Sequence, residues 1–145
     1  MDAPYRHIAC CLDDSDASRH ALDEARRLRA LGPGRLTLLH VVEFPVPYAT
    51  GLGGWVPNPV DLVAVAKEWL GEATKEVTEA ELVVLEGHPA GEVCDWSAAN
   101  AVDLLVCAGH RNLAARITLG SFAHYLVNHA PCSVLVLRPP AVPED

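Results

Sequence analysis

The stretch HIACCLDDSDASRHALDEARRLRALGPG, residues 7–34, decides the fold. His7 to Leu12 is a short apolar run without polar alternation, the pattern of a strand covered on both faces. Asp13, Asp14 and Ser15 close it with side chains that cap helices, so a helix is expected from about Asp16. Ala17, Ala21, Leu22, Ala25 and Leu28 then recur at helical spacing on one face. Gly32-Pro33-Gly34 cannot continue that helix. A buried strand running into an amphipathic helix is the repeating unit of a parallel α/β sheet.

The rest of the chain repeats the unit. Arg35 to Val42 (RLTLLHVV) reads as the second strand, apolar on both faces, and Asn58-Pro59 as the start of a helix reaching about Thr74. A strand from about Glu81 to Leu85, a helix from Pro89 to about Asn100, a strand from Asp103 to Ala108, a helix from Ser121 to about His129 and a strand from Ser133 to Leu137 follow. This order predicts an α/β fold, an open doubly wound five-stranded parallel sheet with helices on both faces, joined by right-handed crossovers. Residues 1–145 are expected to form one domain, with 139–145 a frayed tail. Glu43 to Asn58 is rich in proline and glycine yet carries Phe44, Tyr48 and Trp55. It reads either as a functional lid or partner surface, or as a variable connection that packs its aromatics on its own domain.

Composition narrows the classes of function. A net charge of -8 argues against a nucleic-acid partner, whose binding rests on phosphate neutralisation by Lys and Arg. The longest apolar runs fall far below the roughly 20 residues of a membrane-spanning helix. Met1 to Arg6 shows no secretory pattern, so the expected compartment is the cytoplasm. The five cysteines are irregularly spaced and odd in number, which suits small core hydrophobes better than metal or redox chemistry. The seven histidines form no ligand-spaced cluster.

Doubly wound sheets bind ligands beyond the carboxyl ends of their strands, where the winding reverses. That rule directs attention to Asp13, Val41 and Gly109. The Asp13 carboxylate can hold ribose hydroxyls or, equally, help to cap the first helix. The span Gly109 to Ser121 (GHRNLAARITLGS) places a glycine at a strand end and Gly-Ser at a helix start, where backbone N–H groups favour anions. His110, Arg111 and Arg116 add positive charge there. A simple cap beside a basic loop would give the same letters.

Four segments, HIACCLDDSDASRHAL, LTLLHVV, VVLEGHPAGEV and LGSFAHYLVNHAPCSVLVL, together resemble the universal stress protein family, in the family's order and over nearly the whole chain. The resemblance implies a five-stranded parallel sheet of the Rossmann-like, adenine nucleotide alpha hydrolase-like kind, in a family whose members either bind ATP or do not. Carried over by position, Asp13 would contact the ribose and Val41 would meet adenine through its backbone. Gly109, Gly120 and Ser121 would face ribose and phosphates. ATP-binding members show Gly, two residues, Gly, nine residues, then Gly with Ser or Thr. Here Asn112 stands at the second glycine and only seven residues separate it from Gly120-Ser121. Two missing residues remove about 7 Å of extended reach.

The resemblance thus implies a binding or signalling protein, with ATP or another adenine nucleotide as ligand and Mg²⁺ if a triphosphate is bound. The alternative it leaves open is a scaffold that binds no nucleotide and works only through protein contacts. A slow ATPase or phosphotransferase would need a general base near the phosphates, for which His110 is the one nearby candidate. The resemblance implies a homodimer, since family members commonly pair through the last strand and an apolar strand at a sheet edge invites such pairing, so Ser133 to Arg138 are expected at a homodimer contact.

Overall fold

A computed structural model describes residues 3–43, 59–110 and 119–138. The strands are β1 (His7–Cys11), β2 (Arg35–Val42), β3 (Ala80–Glu86), β4 (Leu104–Ala108) and β5 (Ser133–Leu137). The helices alternate with them as α1 (Asp16–Arg29), α2 (Pro59–Ala73), α3 (Pro89–Ala99) and α4 (Ser121–His129). All pairings are parallel, in the order β3-β2-β1-β4-β5. The five-stranded doubly wound sheet is therefore as the sequence pattern predicts, with element ends displaced by a residue or so. Winding runs outward from β1 through β2 to β3, then reverses to β4 and β5, which puts the switch between β1 and β4.

The apolar strands read as buried because both faces are covered. Ile8, Cys10, Leu36, Leu38 and Val106 pack with Ala21, Leu22 and Ala25 of α1 and Leu70 of α2 on one face. Ala9, Leu39, Leu105 and Cys107 pack with Val93 of α3 and Ala123 and Leu126 of α4 on the other. Each fully buried leucine or isoleucine contributes about 1.5–3 kcal/mol by leaving water. Cys10, Cys11 and Cys107 sit within these layers as small apolar groups, while Cys94 and Cys132 are half-buried, and all five are free thiols. Burial pushes the Cys107 thiol up to about 12 and holds those of Cys10 and Cys11 well above the ordinary range.

The amino end of the sheet is closed by a polar network. The buried His7 donates from Nδ1 to the Asn100 carbonyl at 2.9 Å, and its Nε2 pairs with the Thr37 hydroxyl at 2.8 Å. The Asp103 carboxylate accepts from the His7 N–H at 2.9 Å and the Arg6 N–H at 2.8 Å. Trp96 of α3 packs edge-on against the His7 ring at 5.7 Å. Among the described residues no helix is long and apolar enough to cross a membrane.

Candidate functional site

At the opposite, carboxyl end the sheet opens into a cavity of about 770 Å³, within the usual range for small-molecule sites. Asp13, Val41, Gly109, Gly120 and Ser121 all line it, as does His110. Five of the six residues singled out in the sequence are thus brought together. The sixth, Asn112, lies outside the described residues, as do Arg111, Arg116 and the segment 44–58.

Asp13 follows β1 and organises the turn into α1. Its Oδ1 accepts from the Ser15 N–H at 2.7 Å and from the Ser15 hydroxyl. Ser15, not Asp13, is the N-cap of α1, taking the Ser18 N–H at 3.2 Å, and the Ser18 hydroxyl donates to the Asp13 carbonyl at 2.9 Å. The carboxylate is held in place on the cavity wall by the same turn that starts the helix. Asp14 and Glu43 line the cavity too, which makes this side of it acidic.

Val41 presents main chain rather than side chain. In a parallel ladder the residues that bond one neighbouring strand alternate with those that bond the other. Arg35 donates its N–H to the Arg6 carbonyl, and the Leu39 carbonyl accepts the Leu12 N–H at 2.8 Å, so residues 35, 37, 39 and 41 turn toward β1. Val42 bonds the other way, its carbonyl accepting the Gly87 N–H at 3.0 Å. The N–H and C=O of Val41 therefore point past the end of β1, and neither has a partner among the described residues.

The β4–α4 side differs from the other two described helix starts. Ser15 caps α1, and the His88 Nδ1 accepts the Gly91 N–H at 3.3 Å to cap α3, just after Gly87 turns the chain at φ 129°. At α4 the N-cap is Gly120, which has no side chain to offer. The Gly120 N–H is spent on the Gly109 carbonyl at 2.7 Å, so the two glycines form the throat of the connection between them. A Cβ on Gly120 would come within 3.3 Å of that carbonyl and 3.4 Å of the His110 ring. Glycine allows the close approach. The first-turn N–H groups of Ser121, Phe122 and Ala123 have no partner among the described residues, and all three residues line the cavity. An anion there would meet open donors and the positive end of the helix dipole.

The universal stress protein family model matches residues 4–138. The chain belongs to the universal stress protein family. It is similar to universal stress protein YxiE of Bacillus subtilis, 28% identical with 92% of this chain and 99% of the relative covered. Among solved structures it resembles universal stress protein UspA from Lactobacillus plantarum, with a TM-score of 0.77 at 27% identity, covering 94% of this chain and 100% of the other. The fold is also shared with a universal stress protein in complex with cAMP, TM-score 0.67, 20% identity, covering 94% and 99% of the two chains. A family member from Arabidopsis thaliana with AMP bound gives a TM-score of 0.60 at 15% identity, covering 94% and 93%. As a universal stress protein fold, the chain thus has its cavity at the switch between β1 and β4.

Sequence reasoning missed three features of this site. Phe122 and Ala123 look like ordinary helix residues, and only the engaged Gly120 amide shows that the open donors lie beyond it. Leu62, Val65, Ala66 and Trp69 of α2 form an apolar wall that nothing in their letters distinguishes from core. His40 is one more histidine in an apolar strand by its letters, yet it lines the cavity and donates from Nδ1 to the Leu12 carbonyl at 2.8 Å.

Proposed function

We propose that this universal stress protein binds an adenine nucleotide at the carboxyl end of its sheet and acts as a binding or signalling protein. The observation that carries the reading is the N–H and C=O of Val41, without partners among the described residues and set side by side toward the cavity. A donor beside an acceptor complements the adenine edge that sets a ring nitrogen next to the 6-amino group. Asp13 then stands between this base-reading edge and the α4 amides, where a carboxylate can accept from ribose hydroxyls. The open amides of Ser121 and Phe122 receive the phosphate nearest the ribose. The AMP and cAMP named in the two neighbour structures share adenine and a single phosphate, which favours the base and that phosphate as the recognised parts.

No group of three His, Cys, Asp or Glu among the described residues could hold a metal. Mg²⁺ accompanying a triphosphate would rest mainly on the phosphates, with Asp13 and Asp14 as the nearby carboxylates.

The proposed readout is a homodimer through Ser133 to Arg138. Among the described residues β5 is an edge strand bonded to β4, its apolar side chains are half-buried, and Val127 of the adjacent α4 is exposed. The Leu137 carbonyl bonds the Gly109 N–H, so by alternation Val134 and Val136 turn their backbone groups outward. Val134→Pro removes one outward N–H without touching the β4 ladder. Sedimentation should show a dimer for the parent and a shift toward monomer for the variant; a monomeric parent removes the dimer. Calorimetry with ATP, ADP and AMP, with and without Mg²⁺, tests the ligand. Binding of adenine nucleotides in preference to guanine nucleotides is expected, and no heat or thermal shift at millimolar nucleotide overturns the reading.

A further inference from the structure

The Leu12 carbonyl has an unusual partner. Leu12 donates its N–H to the Leu39 carbonyl at 2.8 Å, and a regular parallel ladder would continue with the N–H two residues on, that of Val41, donating back to the Leu12 carbonyl. That bond is absent among the described residues. The Leu12 carbonyl instead accepts the Nδ1–H of His40 at 2.8 Å. Because a carbonyl only accepts, Nδ1 carries the proton whether the ring is neutral or charged. The ring is braced from α2 by Trp69, with centroids 5.1 Å apart and planes tilted by 55°. A side chain of β2 thus donates to the carbonyl that a regular ladder would pair with the next backbone donor of its own strand.

We infer that His40 is a positioning residue for ligand recognition, stopping the β1–β2 ladder one bond early and so keeping the Val41 N–H available to a bound base. The inference deepens the nucleotide reading and rests on it for the identity of the ligand. The structural part, an open Val41 amide maintained by His40, stands apart from any ligand. An imidazole donor suits the task because it satisfies the carbonyl within the protein, where leaving it unmet would favour closure of the ladder.

Two variants separate this role from simple packing. His40→Leu fills space without a donor, so the Leu12 carbonyl should capture the Val41 N–H. His40→Asn keeps a side-chain N–H close to the position of Nδ1 and should preserve the wild-type arrangement. Amide hydrogen exchange in the ligand-free proteins reads the ladder directly. Exchange at Val41 should slow by about tenfold or more in His40→Leu, as one new backbone bond of about 1.4 kcal/mol requires, and match wild type in His40→Asn. Thermal melts confirm that each variant is folded before comparison. AMP affinity should fall by about tenfold in His40→Leu and recover in His40→Asn, while ribose 5-phosphate, which lacks the base, should bind all three alike. Equal Val41 exchange in wild type and a folded His40→Leu overturns the inference, and so does a His40→Leu protein that keeps wild-type AMP affinity. A slowed Val41 amide with no AMP binding by any protein supports the ladder role and removes the nucleotide reading alone.

Discussion

The two ends of the sheet use histidine in opposite ways. At the amino end both ring nitrogens of His7 are engaged inside the protein, and the neighbouring backbone donors are closed by Asp103. At the carboxyl end His40 spends one nitrogen on the Leu12 carbonyl, beside a Val41 edge and first amides of α4 that have no partner among the described residues. Among the described residues, one end is finished by its own side chains, whereas the other keeps backbone donors and an acceptor open. Since buried backbone polar groups are nearly always paired, open groups concentrated at a cavity mark where the fold gives up stability for binding.

The sharpest way to break this contrast is to open the closed end. Asp103→Ala removes the acceptor of two backbone N–H groups and should lower unfolding free energy by about 3 kcal/mol in urea titrations, with nucleotide affinity unchanged in the folded protein. A loss of affinity would show that the two ends are not separable. At the open end, Asp13→Ala should weaken AMP by about tenfold while costing only about 1 kcal/mol of stability through the loosened Ser15 turn.

The layer between the ends gives a pH signature. The unfolded chain loses a cysteine proton near pH 8.5, whereas folded Cys107 on the cavity wall holds its proton to about 12. A raised folded value means that the stability tied to this thiol is complete below about pH 8.5 and is lost as pH climbs toward 12, by about 1.4 kcal/mol per unit. Cys107→Ala should show a shallower alkaline loss by about one proton in unfolding measured from pH 8 to pH 10. The smallest effect expected is a gain. Ser97 of α3 is buried with its hydroxyl unpaired among the described residues, so Ser97→Ala should raise stability by about 1 kcal/mol. A loss on that substitution would mean that the hydroxyl has a partner.

How much of this was legible in the sequence depended on how local the cause was. The strands and helices followed from apolar runs and from caps such as Ser15, and Asp13, Val41, Gly109, Gly120 and Ser121 were found because strand ends and a helix start flag themselves within a few residues. What each does could not be read, because that depends on distant partners. Gly120 looked like a donor to phosphate, yet its amide belongs to Gly109 across the throat. His7 and Asp103 meet across 96 positions and His40 reaches back 28 to Leu12. A histidine in an apolar strand has the same letters whether it closes a network or holds one open.

The central claim is that the carboxyl end, and not the amino end, accepts an adenine nucleotide through main-chain groups. Titration of isotope-labelled protein with AMP, followed by amide NMR shifts, tests it most directly. The account predicts the largest shifts at the Val41, Ser121 and Phe122 amides, with Arg6, His7 and Asp103 unmoved. Undisturbed Val41 and Ser121 amides at millimolar AMP, or shifts centred on the amino end, would contradict it.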